Sequence, residues 1–207
     1  MQESIAGKTV AVTGATGFVG RHLCRALVDR GAQVRALTRD LSKAREALPP
    51  NNMALVHADI DDEPALRDLV FGADAVIHLI GIRRELGRGV TFRRLHVGAT
   101  ERILRATTRA GVSRYLHMSA LGARGDAVSN YHKTKYEAEW LVRRSGLDWT
   151  IFRPSIIHGP DGEFMQMAAG WVRGEEQPKF FLPYFFRNEP LPGEDSLSGR
   201  MQPVHVD

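Results

Sequence analysis

The residues best placed to do chemistry are Ser119, Tyr131 and Lys135. Tyr131 and Lys135 are four residues apart, so a helix would put them on one face. A phenol has a pKa of about 10, but a neighbouring ammonium favours the phenolate and lowers that pKa. Ser119 closes a predicted strand, where its hydroxyl could hold a substrate carbonyl or hydroxyl. The spacing predicts Tyr131 as acid/base and Lys135 as its tuning residue, against a surface Tyr–Lys pair with an ordinary strand-end serine.

A second candidate site is the run Thr13–Gly20, which leads from a predicted strand into a predicted helix. Gly14 permits a tight turn, Gly17 lets the backbone approach a pyrophosphate, and Gly20 lets the helix pack closely on the strand. The N–H groups at the helix N-terminus then face the anion. The glycine spacing of three and three differs from the usual dinucleotide fingerprint. Its place at the first strand-to-helix junction therefore carries the prediction of dinucleotide binding, against a merely tight turn.

The end of the second predicted strand indicates which dinucleotide is bound. Proteins that prefer NAD usually place an acid here for the ribose hydroxyl, but this chain has Arg39. A guanidinium can hold a 2′-phosphate bidentately, and Lys43, one helical turn later, could add a second cation. Asp40 is predicted to cap the next helix, with its carboxylate turned toward the helix N–H groups. The sequence favours NADP as the cofactor and leaves NAD open.

These residues are positioned by short apolar runs that alternate with longer helical stretches, the pattern of a βαβ series. The apolar runs are nearly continuous, as expected for strands buried on both faces of a parallel sheet. The predicted strands are Thr9–Thr13, Gln33–Thr38, Ala54–His57, Ala75–Ile80, Arg114–Met118 and Trp149–Phe152. The predicted helices are Val19–Arg30, Leu41–Leu48, Glu63–Val70, Thr91–Ala110 and Tyr131–Ser145, and glycines end three of them. We predict an α/β fold, a Rossmann-type doubly wound parallel β-sheet with helices on both faces.

The pattern changes after residue 173, where proline and glycine interrupt an aromatic-rich stretch. We predict an NAD(P)-binding domain over 1–173, with a short helix near Phe164–Arg173, and an irregular substrate-side segment over 174–207. The aromatic residues of Phe180–Phe186 would cover the substrate side, or form a patch that contacts a membrane or a partner. The chain ends in a strand-like run, Pro203–Asp207.

Composition excludes several classes of protein. The 207 residues are 43% hydrophobic and 25% charged, which is typical of globular domains and argues against disordered, collagenous or coiled-coil chains. The single cysteine, Cys24, excludes an intrachain disulfide, and no histidine has metal-ligand spacing, so no metal is expected. We find neither a signal peptide nor a membrane span, which predicts a cytoplasmic protein. The net charge of +4 suits an anionic small molecule as readily as a nucleic acid, but the arginines are mostly dispersed along the chain, and no nucleic-acid partner is expected.

Together the motifs resemble the short-chain dehydrogenase/reductase superfamily. Thr13–Gly20, Ser119 and Tyr131–Lys135 resemble its TGxxGxxG, Ser and YxxxK elements, over essentially the whole chain. Other stretches resemble its atypical or extended branch, which contains NAD(P)-dependent epimerase/dehydratase-like proteins and relatives of the 39 kDa accessory subunit of respiratory complex I. These stretches are His78–Gly81, Leu95–Thr100, His117–Ala123, Arg153–Pro160 and Gln202–Asp207.

This resemblance implies which residues surround the cofactor. The residues expected at the pyrophosphate are Thr16, Gly17, Phe18 and Val19, and those expected at the adenine are Asp59 and Ile60. The floor beneath the cofactor would be formed by Leu79, Ile80 and Gly81, and the nicotinamide would be approached by Pro154, Ser155 and Ile156. Lys135 would also hold the nicotinamide ribose. His96 stands where many extended enzymes have an asparagine, which favours the complex I-like group. The resemblance further implies that related chains continue beyond the segment that ends here at Asp207.

Two functions remain open from the sequence. The first is an oxidoreductase or epimerase that transfers hydride between NADP(H) and a small carbonyl or alcohol, or a nucleotide sugar. The alternative is a non-catalytic structural, assembly or sensor protein that keeps the dinucleotide as a ligand and acts through a partner, as the complex I subunit resemblance implies. The intact Ser/Tyr/Lys set favours the enzyme, and either reading leaves room for peripheral association with a membrane or a complex.

Overall fold

A computed structural model of the chain describes residues 4–162, 165–166, 169–170, 173 and 204–206. The structure divides into two units, Met1–Arg153 and Pro154–Asp207. Phe180–Phe186 lies outside the described residues, as does most of the helix predicted near Phe164–Arg173. The domain boundary predicted after residue 173 therefore stays a prediction.

The first unit is built on a six-stranded parallel sheet. Its strands are β1 (Thr9–Thr13), β2 (Gln33–Thr38), β3 (Met53–His57), β4 (Ala75–His78), β5 (Arg114–Met118) and β6 (Asp148–Phe152). Their order is β3-β2-β1-β4-β5-β6, so the chain starts in the middle, winds to one edge and then returns to build the other half. The direction of winding reverses between β1 and β4, which is where such sheets bind ligands. The predicted doubly wound Rossmann-type fold is confirmed.

Helices cover both faces of this sheet. They are α1 (Phe18–Asp29), α2 (Leu41–Ala47), α3 (Glu63–Val70), a π-helix (Arg93–Gly98) that continues into α4 (Ala99–Arg109), and α5 (Asn130–Arg143). Because successive strand residues point to opposite faces, the core forms two apolar layers. One layer, on the α1 and α2 side, contains Val12 and Cys24, and the other, on the α3, α4 and α5 side, contains Val76 and Ile103.

Two elements differ from their predicted form. The fourth strand ends at His78, and Leu79 and Ile80 leave the sheet to line its edge. The helix predicted over Thr91–Ala110 begins with π-helical turns, each of which holds more residues than an α-turn. The three glycines predicted to end helices all have left-handed φ angles, as expected for C′ positions: Gly31, Gly111 and Gly146.

The second unit contains a small parallel pair, β7 (Ile157–His158) and β8 (Val204–His205). The Val206 N–H donates to the His158 carbonyl at 3.0 Å, and the rings of His158 and His205 meet edge to face at 5.1 Å. The strand-like run predicted at the end of the chain is thus found as β8. Among the residues that the structure describes, no helix combines the length and apolar character needed to cross a bilayer.

Candidate functional site

Three glycines shape the turn between β1 and α1. Gly14 has a φ of +75°, and a Cβ there would lie 2.9 Å from the Leu79 carbonyl carbon. A Cβ on Gly20 would lie 2.2 Å from the Gly14 carbonyl oxygen, so a larger residue would push α1 away from the turn. Gly17 is the N-cap of α1, and no side chain caps this helix. The first N–H groups of α1 are therefore available to an anion.

A cavity of about 200 Å³ lies beside this turn, at the carboxyl ends of the parallel strands. Its wall is formed by the turn, the end of β2 and the segments that follow β3 and β4. Nine of the predicted cofactor residues line it: Gly14, Thr16, Gly17, Arg39, Asp59, Ile60, Leu79, Ile80 and Gly81. Lining residues that the sequence did not single out are Leu37, Thr38, Ala58, Ile82 and Leu95.

The other predicted cofactor residues are not part of this wall. Those carried by helices are Phe18, Val19 and Gly20 at the start of α1, Lys43 in the first turn of α2, and Lys135 in α5. Pro154 and Ile156 belong to the second unit. Their predicted approach to the nicotinamide stays a prediction.

Arg39 extends from the end of β2 with its side chain 67% exposed. Its Nη1 lies 3.8 Å from Oδ2 of Asp59. The neighbouring Asp40 accepts a hydrogen bond from the Lys43 N–H at 3.0 Å, which confirms its predicted role as the N-cap of α2. The Asp40 carboxylate is therefore bonded to the N-terminus of α2. At the end of β2, Arg39 is the residue whose charged side chain lines the cavity.

Arg94 supports the same wall, although its position in an arginine-rich segment gave no sequence signal for this. Its Nη2 donates to Asp59 at 2.7 Å and to Asp61 at 2.6 Å. Arg102, from α4, reaches the other Asp61 oxygen at 3.2 Å. Asp59, predicted at the adenine, is thus held between two guanidiniums, those of Arg39 and Arg94.

Lys135 lies against the cavity wall from the side of α5. It is 4% exposed, and its Nζ donates to the Met118 carbonyl at 2.9 Å, where β5 ends. A Cβ on Gly81 would lie 2.9 Å from this Nζ, so the ammonium contacts the segment that lines the cavity. Burial lowers the pKa of Lys135 to about 8, and the charge of Glu139 opposes this shift.

Tyr131, one turn before Lys135, packs among three aromatic rings. These belong to Phe92, His96 and His132, with centroids 5.8, 5.4 and 5.1 Å from that of Tyr131. Burial raises the pKa of the Tyr131 phenol, and the Arg83 guanidinium only partly opposes it. The expectation that Lys135 lowers the pKa of Tyr131 is therefore wrong for this structure, because burial disfavours the phenolate more than nearby positive charge favours it.

Ser119 is buried just after β5, next to the carbonyl that holds Lys135. Its backbone N–H donates to the Phe152 carbonyl at 2.7 Å, which ties it to β6. Its hydroxyl lies near the Glu139 carboxylate but outside hydrogen-bond geometry, and it bonds to no other described residue. The structure thus brings Ser119 and Lys135 to one strand end, while Tyr131 lies one helical turn away among the rings.

His96 joins three segments of this site. Its Nδ1 lies 2.9 Å from the Thr134 hydroxyl on α5, and its Nε2 lies 3.1 Å from both the N–H and the carbonyl of Ile82. Because the Thr134 hydroxyl donates to the Asn130 carbonyl at 2.7 Å, we assign Nδ1–H as the donor to Thr134 and Nε2 as the acceptor from Ile82. Burial, followed by the charge of Lys135, lowers the pKa of His96 to about 3, so the ring is neutral.

Comparison with known proteins places this geometry in a family. The family described as NAD(P)H-binding matches residues 14–170, which include the glycine turn, the cavity wall and the Tyr131–Lys135 pair. The chain belongs to this NAD(P)H-binding family. The predicted resemblance to NAD(P)-binding Rossmann proteins is confirmed.

Two curated relatives and one solved structure show the extent of the similarity. Ceramide reductase of Caulobacter vibrioides is 36% identical over 156 residues, which are 73% of this chain and 47% of that protein. The mitochondrial NADH dehydrogenase (ubiquinone) 1 alpha subcomplex subunit 9 of Mus musculus is 30% identical over 174 residues, 82% of this chain and 46% of that protein. The chain thus spans about half the length of these relatives. The structure of the Bordetella bronchiseptica enzyme WbmH in complex with NAD+ shares the fold, with a TM-score of 0.70, 22% identity, and coverage of 82% of this chain and 64% of that one.

Glu139 is a buried carboxylate of this NAD(P)H-binding chain that sequence reasoning missed. Its side chain has no exposed surface and accepts hydrogen bonds from Arg143 at 2.7 Å and from Arg153 Nε at 2.7 Å. Burial raises the pKa of Glu139, but the hydrogen bonds and charges of Arg153 and Arg143 lower it below its ordinary value. The only sequence signal was its place one turn after Lys135, which puts both residues on the same buried face of α5.

Two further buried histidines lie beneath the site. Thr13, His78 and His117 are neighbours across β1, β4 and β5, and the Thr13 hydroxyl lies 2.6 Å from His78 Nδ1. The rings of His78 and His117 stack at 5.6 Å. Burial, with the charge of Lys135 next, lowers the pKa of His117 to about 3. Neither ring nitrogen of His117 bonds to a described residue, so protonation inside the fold would leave a buried, unpaired charge.

We expect acid to destabilise the protein through His117. Its pKa is about 3 in the fold and about 6.5 in an unfolded chain, so the unfolded protein binds the proton first as pH falls below 6.5. His117→Phe should reduce the stability lost between pH 7 and pH 4.5 by roughly 2 to 3 kcal/mol, measured by urea unfolding at both values. His57→Gln, at an exposed histidine, should not change that loss. An identical acid loss in His117→Phe and the wild type would contradict the prediction.

Glu139→Gln should destabilise the fold by roughly 2 to 4 kcal/mol, because it leaves two arginines without their buried carboxylate. Glu137→Gln on the same helix is the matched control, since the pair that Glu137 forms with Arg93 is exposed and should contribute less than about 1 kcal/mol. Urea unfolding at pH 7 measures both values. Equal losses for the two variants would show that the Glu139 cluster is no more stabilising than a surface ion pair.

Proposed function

We propose that this chain is the NAD(P)-binding part of an oxidoreductase of the short-chain dehydrogenase/reductase type. It would transfer hydride between NADP(H) and a small carbonyl or alcohol, or a nucleotide sugar. The observation that carries the proposal is the contact of the Lys135 ammonium with Gly81. That contact joins the Tyr131–Lys135 pair to the wall of the dinucleotide cavity. The similarity to a protein named ceramide reductase supports a reductase.

The residues around the cavity fit a dinucleotide. The uncapped N-terminus of α1 offers N–H groups to a pyrophosphate, and Leu79 and Ile80 offer an apolar floor. Arg39 offers a fork of donors at the end of β2, where a ribose or its 2′-phosphate is read. A bound nicotinamide would supply or accept the hydride.

Tyr131 and Lys135 divide the remaining work. Because burial raises the pKa of Tyr131, its phenol carries its proton at neutral pH and can donate it to a carbonyl oxygen that gains negative charge. This direction suits reduction. The Lys135 ammonium, held by the Met118 carbonyl, would bind the nicotinamide ribose and stabilise the phenolate that remains after the transfer. Ser119 would orient the substrate oxygen.

Tyr131→Phe should lower turnover by about 10² to 10⁴, because the proton donor is lost, and should leave NADPH affinity within about twofold. Tyr136→Phe, which removes a hydroxyl from the same helix, is the control and should retain turnover. NADPH oxidation with a carbonyl substrate found in a screen measures both. Turnover of Tyr131→Phe at the wild-type level would remove Tyr131 from the mechanism, and normal NADPH binding in that variant would keep the cofactor assignment.

Arg39→Ala should weaken NADPH binding by about tenfold or more and change NADH binding little, since a charged hydrogen bond contributes roughly 1.5 to 3 kcal/mol. Calorimetric titration of both cofactors against both proteins measures this. Lys43→Ala should have a smaller effect, because its ammonium is a flexible point charge. Equal affinities of the wild type for the two cofactors would show that NADP is not preferred, and an equal loss for both cofactors in Arg39→Ala would show that Arg39 does not select between them.

The alternative function is a protein that holds the dinucleotide without catalysis and acts through a partner. The 30% identity to the mouse mitochondrial subunit favours it. Such a protein would bind NADPH as tightly as an enzyme of this family does. The variant Tyr131→Phe would then leave its assembly with the partner unchanged. For the enzyme, we also propose the cytoplasm as its compartment, on the basis of a chain with one cysteine.

A further inference from the structure

A groove of about 250 Å³ lies between α3 and α4. Leu66 and Ala106, both buried, are among its apolar lining residues. Its polar residues are four arginines and one acid: Arg67, Arg102, Arg105, Arg109 and Glu63. The groove shares no lining residue with the dinucleotide cavity. We propose that it is a second binding site, for a phosphate-bearing anion.

The carboxylates nearby do not neutralise the groove. Arg105 pairs with Glu63 at 3.1 Å and with Glu101 at 3.2 Å, and Arg102 pairs with Asp61 at 3.2 Å. Within the part of the chain that the structure describes, the guanidiniums of Arg67 and Arg109 have neither an ion pair nor a hydrogen bond. Like charges on one helix face repel, so a groove of this composition is stabilised by an anion that binds between them.

The arrangement of the arginines favours phosphate over a simple counterion. Arg102, Arg105 and Arg109 follow one another at spacings of three and four residues, which places them along one face of α4. Arg67 lines the groove from α3. Planar guanidinium forks from two helices can bind several oxygens of one phosphate group at once.

The size and lining of the groove limit the ligand. Its 250 Å³ is below the roughly 300 to 1,000 Å³ of pockets that enclose drug-sized molecules, so it suits a phosphate or diphosphate group and not a whole nucleotide. None of its lining residues is aromatic, so no surface is available on which a base could stack. The phosphate could belong to a small soluble molecule or to the headgroup of an anionic lipid, and both share the chemistry that the arginines recognise.

Calorimetric titration with inorganic pyrophosphate tests the site, in the presence of saturating NADP+ so that the α1 turn is not the site measured. The double variant Arg67→Gln/Arg109→Gln should weaken pyrophosphate binding by at least tenfold, because it removes two charged donors. The control Arg25→Gln/Arg144→Gln removes the same charge elsewhere and should change binding less than about twofold. Thermal unfolding of each variant verifies that the fold is kept.

Vesicles distinguish the two sources of the phosphate. If the ligand is a lipid headgroup, the wild type should sediment with phosphatidic acid vesicles and not with phosphatidylcholine vesicles, and the groove variant should lose that binding while the control keeps it. If it is a soluble phosphate, only pyrophosphate binding should depend on the groove. Equal losses in the groove and control variants would reveal a general charge effect and overturn the proposal. Absence of both pyrophosphate and vesicle binding in the wild type would overturn it as well.

Discussion

Two opposite charges, those of Lys135 and Glu139, are buried one turn apart on α5. Each buried charge needs partners, and the surrounding groups are arranged to provide them. An unpaired ion inside a protein costs several kcal/mol, so neither Lys135 nor Glu139 could be buried alone. Lys135 is stabilised by a carbonyl at the end of β5, and Glu139 by two arginines that are themselves partly exposed. A second positive charge beside the Lys135 ammonium would be unfavourable, which helps to keep His96 and His117 neutral.

The same region joins the two halves of the proposed site. The sheet brings four strand ends together, and their loops form the dinucleotide cavity, but the sheet by itself does not determine where α5 lies. His96 helps to fix that position through one ring, which bonds the segment after β4 on one side and α5 on the other, beside the bonds of Lys135 and Glu139. The neutral His96 ring therefore connects the cavity wall to the helix that carries Tyr131 and Lys135, and it does so without gaining or losing a proton.

Features governed by local rules were predictable from the sequence. The glycine turn, the Asp40 cap and the strands follow from backbone geometry, hydrogen-bond capping and apolar periodicity within a few residues. The fold follows from their alternation. The contacts that sequence patterns did not indicate join residues far apart in the chain. Arg94 binds Asp59, 35 positions away, and Arg153 binds Glu139, 14 positions away. No periodic pattern encodes such pairs.

The raised pKa of Tyr131 could not be predicted from the sequence, for a related reason. The Tyr–Lys spacing indicates a nearby positive charge but says nothing about burial, which is set by the rings that pack on the phenol. Two of these rings belong to Phe92, the N-cap of the π-helix, and to His96 within that helix. Because a π-turn holds more residues than an α-turn, the period of 3.6 used to read the sequence misplaces the side chains that follow it.

At Gly81, the backbone of the cavity floor directly contacts the Lys135 ammonium. With no side chain at this position, the main chain itself stops the Lys135 amine, and an added methyl group would meet it at 2.9 Å. An alanine here would clash with the Lys135 amine. Either the amine would move away from the Met118 carbonyl, or the backbone around residue 81 would shift. A substitution at Gly81 would therefore disturb the floor of the nucleotide cavity and the position of the Lys135 ammonium together.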